Sequence, residues 1–155
     1  IHCNAVRTAA AYGTETWGMG THKNKANLEL AMKENSVITM EENYVDKYDG
    51  FDPNSPEAHI IFSLMQNAYL EQSLNLAEKI EHQFKNRVKR KSRGVKQAGF
   101  LVLWKTSMPS VLIETGFLSN PTERKFLTSK TGQVYLASAT FRAFREVKDD
   151  LEASQ

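Results

Sequence analysis

The sequence has one cysteine, little net charge and no long apolar run. The single thiol, Cys3, excludes an internal disulfide and so excludes a disulfide-stapled fold. No stretch approaches the roughly 20 apolar residues that a membrane helix needs. A formal net charge of +2 is too small to indicate a nucleic-acid partner. With 155 residues, 41% hydrophobic and 25% charged, the composition predicts one globular domain without a membrane span.

The most informative segment, Val111–Pro121, places a carboxylate directly after three branched apolar residues. A Val-Leu-Ile run predicts a strand buried on both faces, and an ionised glutamate is costly to bury without a partner. Glu114 therefore lies either at the strand's carboxyl end facing a cleft, where α/β sheets build sites, or beside a positive partner such as a metal ion. A structural ion pair with an arginine or lysine is the alternative.

The residues that follow support a site at the end of this strand. Gly116 permits a sharp exit from it. A helix is then predicted to start, with Asn120 as its N-cap, Pro121 in its first position and Glu123 reaching back to the cap.

The first residues of the chain offer a metal ligand, His2, directly after an apolar residue. Neighbours on a strand point to opposite faces, so we interpret Cys3 as a small buried thiol and not as a second ligand. An isolated histidine is more often a structural hydrogen-bonding group than a ligand, and we interpret His22, His59 and His82 as structural or solvent-exposed.

The rest of the chain alternates between strand and helix patterns, which predicts an α/β fold with a mostly parallel sheet. Strands are predicted at 13–17, 100–104 and 111–115, and helices at 24–37, from Ser55 to a basic far end that reaches Arg93, and at 133–151. The acidic, turn-rich segment 39–55 is predicted to be a loop or flap. Glu15, on the first of these strands, either shapes the floor of a site or faces solvent.

Helical spacing also predicts the buried faces of the two longer helices. The first would bury Ile61, Leu64, Met65, Ala68, Leu74, Ala77, Ile80 and Phe84, and the last Val134, Ala137, Phe141, Phe144, Val147 and Leu151.

Together, Ile1–Asn4 and Val111–Pro121 resemble the catalytic domain of zinc-dependent N-acetylmuramoyl-L-alanine amidases. The resemblance runs from Ile1 to about Leu151 and includes the segments 13–17, 33–36 and 97–103. It implies a twisted sheet flanked by helices, with His2 as a zinc ligand and Glu114 as the catalytic carboxylate. The implied reaction cuts the amide between N-acetylmuramic acid and L-alanine of peptidoglycan, in the periplasm or outside the cell, during wall remodelling and daughter-cell separation.

One departure from the family pattern concerns the metal. The family's first two zinc ligands come from an upstream Gly-His-Gly-Gly-type loop and a later glutamate, and neither segment is present here. We therefore expect residues 1–155 to be the C-terminal part of a larger catalytic domain. The alternative is a non-catalytic cell-wall-binding or regulatory fragment that lacks a complete metal site. The sequence before Ile1 in the natural protein would distinguish the two.

The resemblance also suggests regulation. Some family members carry an insertion whose helix lies across the active site and places a glutamate in the open zinc position. The Glu-Asn-Ser pattern at 34–36 makes Glu34 the matching residue, within a possible regulatory helix and flap at 24–55. An activator protein would then displace this segment. The alternative is that Glu34 is an ordinary exposed residue at a helix end.

Overall fold

The computed structural model describes residues 1–64, 69–104 and 106–153. Four strands are present in these ranges: β1 (His2–Asn4), β2 (Thr14–Met19), β3 (Ser92–Ala98) and β4 (Leu112–Phe117). The helices are α1 (Lys25–Asn35), α2 (Tyr44–Lys47), α3 (Pro56–Ser63), α4 (Leu70–Asn86), α5 (Pro121–Leu127) and α6 (Lys130–Ala153). Short 3₁₀ turns cover Ser36–Met40 and Leu101–Leu103. None of the described helices combines the length and the apolar character that a membrane crossing requires.

The four strands form one sheet in the order β1-β4-β2-β3. β1 runs parallel to β4, and β2 runs antiparallel to it. The N–H of Thr14 donates to the carbonyl of Lys91 and that of Gly20 to the carbonyl of Ala98, so β2 and β3 run in the same direction. Parallel pairs thus predominate among the described strands, and the predicted α/β class with a mostly parallel sheet is confirmed.

The chain divides into two compact units. The first comprises residues 1–17, 71–96 and 111–155, and the second comprises residues 18–70 and 97–110. In the first unit, helices α4, α5 and α6 pack against β4. Their core consists of Ile80, Phe84, Ile113, Leu127, Leu136, Ala139 and Ala143. Truncating a fully buried aromatic such as Phe84 to alanine typically costs about 3–5 kcal/mol.

The second unit is organised around the buried side chain of Asn35 at the end of α1. Its amide donates to the carbonyl of Gly99 over 2.7 Å, and its oxygen accepts from the N–H of Leu101 over 2.9 Å. Nearby, α3 begins with Ser55 as N-cap and Pro56 in the first turn, as predicted. It buries His59 and Phe62. One asparagine therefore fixes the loop that follows β3.

The prediction of one long helix is wrong, because two separate helices, α3 and α4, are present. Helix α3 ends at Ser63, and α4 spans Leu70–Asn86. The helix therefore ends before most of the predicted basic far end, and Arg93 lies on β3. The predicted core positions Met65 and Ala68 lie outside the described residues. Ile61 and Leu64 are exposed, because α3 turns the face bearing His59, Phe62 and Ser63 inward. In α4, by contrast, burial of Ala77, Ile80 and Phe84 is confirmed.

The prediction of which residues of α6 are buried is also largely wrong. Of the residues assigned to it, Val147 is buried, but Val134, Ala137, Phe141, Phe144 and Leu151 are exposed. The helix instead buries Leu136, Ala139 and Ala143. Both sets have helical spacing. The small side chains of Ala139 and Ala143 let α6 pack more closely than the large side chains of Phe141 and Phe144 would.

The predicted strand at 100–104 is a 3₁₀ turn, and the strand lies upstream at β3. β3 pairs at the edge of the sheet and is mostly half-buried. Its sequence, Ser-Arg-Gly-Val-Lys-Gln-Ala, lacks the apolar alternation on which a strand prediction depends. The apolar residues Phe100, Leu101 and Leu103 are nevertheless buried.

Candidate active site

His2 and Glu114 lie directly opposite each other on the parallel strands β1 and β4. The ligand atoms they offer, a ring nitrogen and a carboxylate oxygen, lie within 4.8 Å of each other. His2 is exposed, whereas Glu114 is only 1% exposed. The predicted pairing of a histidine with a strand-borne carboxylate therefore exists within the first unit.

The next residue on β4, Thr115, holds the two strands together. Its hydroxyl donates to the backbone carbonyl of His2 over 2.9 Å and lies 3.2 Å from the sulfur of Cys3. The prediction that Cys3 is buried is wrong, because its side chain is exposed on β1.

The exit from β4 is fixed by a buried ion pair. Glu123, which is 4% exposed, accepts from Arg90 over 2.6 Å and from the backbone N–H groups of Gly13 and Phe117. A Cβ at Gly116 would lie 2.7 Å from a carboxylate oxygen of Glu123, so a larger residue there would displace the side chains of this ion pair. These contacts hold the turn that follows Glu114 in one conformation.

The predicted helix start after this turn is confirmed in part. The side chain of Asn120 accepts from the N–H groups of Thr122 and Glu123, as an N-cap does. The prediction that the carboxylate of Glu123 reaches back to the cap is wrong. This carboxylate accepts hydrogen bonds from Arg90, Gly13 and Phe117 instead. The ion pair with Arg90 outweighs a capping bond, because charge-assisted hydrogen bonds are the stronger ones.

Glu15 lies opposite Glu114 on the other side of β4, on antiparallel β2. Directly opposed residues point to the same face of a sheet, so His2, Glu114 and Glu15 form a row across three strands. Glu15 is 3% exposed and forms ion pairs with Arg93 and with Lys96. The alternative that Glu15 faces solvent is therefore wrong.

The opposite face of β2 carries a second buried carboxylate, Glu81 of α4. It accepts from the hydroxyls of Thr14, Thr16 and Ser92. Burial raises the pKa of Glu81, while the three hydroxyl donors oppose that rise and the charge of Glu15 adds to it. Sequence reasoning missed this cluster, since 67 residues separate Glu81 from Thr14.

Glu34 and the other three histidines are the remaining residues with a predicted role. Glu34 is half-buried in the last turn of α1, in the second unit, and its role as a zinc ligand stays a prediction. His59 is buried and bonds the carbonyl of Pro53, and His22 bonds the carbonyl of His59. Both have the structural role predicted for them. Burial lowers the pKa of each. His82 is exposed on α4.

The sequence is similar to cell-wall amidases. AmiA of Escherichia coli (strain K12), an N-acetylmuramoyl-L-alanine amidase, is 38% identical over 80 residues, which are 52% of this chain and 28% of AmiA. AmiC of Neisseria meningitidis, of the same description, is 31% identical over 135 residues, which are 84% of this chain and 30% of AmiC. The chain thus spans under a third of the length of either relative.

Solved structures show the same fold. An N-acetylmuramoyl-L-alanine amidase from Clostridium difficile 630 matches with a TM-score of 0.59 at 22% identity, over 95% of this chain and 54% of that one. The CwlD amidase from Clostridioides difficile, solved in complex with the GerS lipoprotein, matches with a TM-score of 0.58 at 23% identity, over 95% of this chain and 51% of that one.

The family resemblance inferred from the motifs at His2 and Glu114 is confirmed over nearly the whole chain. Residues 1–146 match the family described as N-acetylmuramoyl-L-alanine amidase. The chain therefore belongs to the N-acetylmuramoyl-L-alanine amidase family.

Proposed function

We propose that the natural protein hydrolyses the amide between N-acetylmuramic acid and L-alanine of peptidoglycan with the aid of zinc. Family membership supports the reaction. The observation that carries the proposal is the opposition of His2 and Glu114 on neighbouring strands, with their ligand atoms within 4.8 Å.

The donor atoms suit zinc. Imidazole nitrogen and carboxylate oxygen are common zinc ligands, and the ligand atoms of His2 and Glu114 lie within 4.8 Å of each other. We propose that His2 contributes one ligand and that Glu114 lies beside the ion. Bound zinc would lower the pKa of a water molecule to about 7 and polarise the scissile carbonyl.

Glu114 would move the proton. Its carboxylate accepts a proton from the attacking water and returns it to the leaving nitrogen of L-alanine. The buried position of Glu114 keeps bulk water away from this transfer. The hydrogen bond from Thr115 to the His2 carbonyl fixes the distance between the proton acceptor and the zinc ligand. The products are a glycan strand without its peptide and a free peptide that begins with L-alanine.

The biological setting and the control of the reaction are part of the same proposal. We place the protein in the periplasm or outside the cell, where peptidoglycan is remodelled and daughter cells separate. Glu34 would block the zinc site until a partner protein displaces the segment 24–55. The CwlD amidase was solved in complex with the GerS lipoprotein, which supports the idea that a protein of this fold binds a partner protein.

Product analysis tests the proposal. The natural full-length protein is incubated with purified peptidoglycan and zinc, and the soluble products are identified by mass spectrometry. We expect peptides with a free L-alanine amine, and no product after chelation. Binding to peptidoglycan without any released peptide would instead support the non-catalytic alternative.

A metal measurement on His2→Ala separates ligation from folding. We expect the variant to lose zinc and activity but to keep its circular dichroism spectrum. His82→Ala is the matched control, because His82 is an exposed histidine on α4. Retention of stoichiometric, tightly bound zinc by His2→Ala would contradict the assigned ligand.

A further inference from the structure

A cluster of charges lies on the same face of the sheet as Glu114. Glu15, opposite Glu114 on β2, forms ion pairs with Arg93 and, over 2.9 Å, with Lys96. On a regular strand, residues three apart point to opposite faces. Gly94, with φ of 86°, interrupts that alternation in β3 and lets both cations reach one carboxylate.

Within the trio of Glu15, Arg93 and Lys96, two cations share a single carboxylate, so the trio has one cation more than it has anions. The side chain of Glu15 is 4% exposed, whereas those of Arg93 and Lys96 are 34% and 27% exposed. The anion is therefore buried, and the cations reach the surface. An ion pair that only neutralised Glu15 would need one cation, and the second remains available for a ligand.

Aromatic rings hold both cations in place. The guanidinium of Arg93 lies 5.1 Å from the ring centre of Phe117, and the ammonium of Lys96 lies 5.0 Å from that of Trp17. Cations over ring faces at this range are attracted to them. The two donors are therefore preorganised, which reduces the entropy that a ligand must overcome on binding.

The position of the cluster matches the length of a short peptide. β3 lies two strands away from β4, which is roughly 10 Å at ordinary strand spacing. An extended peptide covers about 3.3–3.6 Å per residue. With the scissile amide at Glu114, the second or third residue beyond it comes within reach of Arg93 and Lys96.

We propose that Arg93 and Lys96 bind a carboxylate of the peptide that follows L-alanine in the substrate, with Glu15 holding both cations in position. This inference rests on the proposed function. It makes the pair a determinant of substrate choice: a peptide with a free carboxylate at that position is preferred to one in which the carboxyl is amidated.

A matched pair of substrates tests this preference. Two synthetic N-acetylmuramoyl tripeptides are identical except that the α-carboxyl of their second residue, a γ-linked D-glutamate, is free in one and amidated in the other. We expect the natural full-length protein to cleave both, with a KM lower for the free carboxylate by on the order of tenfold, as one charge-assisted hydrogen bond gives. Equal KM values would overturn the inference, whereas cleavage of neither substrate would overturn the proposed function.

Two variants should weaken this preference. Lys96→Gln removes the surplus charge and leaves Arg93 on Glu15, so the KM for the free carboxylate rises toward that for the amide. Glu15→Gln removes the anion that holds both cations in position, so it too brings the two KM values together. Lys85→Gln, an equal change of net charge on exposed α4, is the control and should leave the KM ratio unchanged. If Lys96→Gln raises both KM values by the same factor, the cluster is structural and the inference fails.

Discussion

The hydroxyl of Thr115 donates to the backbone carbonyl of His2 over 2.9 Å, so the residue after Glu114 holds the strand that carries His2. Two neighbouring residues of β4 thus have separate tasks. Glu114 supplies a carboxylate on one face of the strand, and Thr115 fixes β1 against β4. This contact holds the backbone of His2 beside β4, in register with Glu114.

Replacing Thr115 with valine should weaken zinc binding. The substitution keeps the shape and removes the hydroxyl, and loss of an outer-shell partner of a metal ligand typically costs 10–100-fold in affinity. Because Thr115 bonds the backbone of His2 and not its ring, we expect the lower end, about tenfold. Zinc affinity is measured by competition with a chromophoric chelator. Thr140→Val, which removes a similar hydroxyl from α6, is the control. Equal zinc affinities of Thr115→Val and the parent would contradict this role.

The ion pair of Arg90 and Glu123 should be the most sensitive charged contact in the first unit. Both side chains are largely buried, at 12% and 5% exposure. Removing one partner of a buried pair leaves an uncompensated charge and costs about 3–5 kcal/mol. We expect Glu123→Gln to lower the free energy of unfolding in urea by that amount. Glu29→Gln, which breaks an exposed pair with Lys25, should have little effect. A similarly small change for Glu123→Gln would show that the pair is not important for the β4 exit.

Glu81 should make stability fall as pH rises. Its pKa is raised by burial above the ordinary value of 4.5. The folded state therefore holds the proton more tightly than the unfolded state, and stability from this group is full below 4.5 and is lost as pH rises through the raised pKa. Glu81→Gln should flatten the dependence of unfolding free energy on pH above 4.5. An unchanged slope would indicate that the hydroxyls of Thr14, Thr16 and Ser92 stabilise the charged form completely.

If Glu34 occupies the open zinc position, as predicted, it should inhibit the enzyme. A catalytic zinc keeps one position open for water, so a carboxylate there blocks turnover until it is displaced. We expect Glu34→Ala to raise activity in the absence of any partner protein. Glu29→Ala, an exposed carboxylate one turn and a half earlier on α1, should not. No increase for Glu34→Ala, with zinc content intact, would leave Glu34 as an ordinary residue of the helix end.

Local patterns in the sequence predicted the part of the fold that carries Glu114. A short apolar run followed by an Asn-Pro cap specifies a buried strand and a helix start through nearest-neighbour contacts, and both are present. The choice of face on α6 is not a local property. Leu136, Ala139 and Ala143 and the bulkier set of Phe141 and Phe144 have similar spacing, and packing against α4 selects the first set.

The ion pairs of the site also could not be predicted, because they depend on contacts between distant parts of the sequence. Arg93 and Lys96 lie on a basic strand with a glycine, which has no strand periodicity, and they meet Glu15 only because β3 pairs with β2. Likewise, Arg90 and Glu123 are 33 residues apart in sequence. Such contacts depend on strand order, which single-residue patterns do not encode.

The activity of Glu114→Gln tests the central claim most directly. The substitution keeps the size of the side chain and removes the proton acceptor, so release of peptide from purified peptidoglycan should fall by roughly 10²–10⁴-fold. Zinc content should stay near that of the parent protein, and the exposed-carboxylate control Glu152→Gln should keep full activity. Peptide release by Glu114→Gln at close to the parental rate would contradict the assignment of Glu114 as the base.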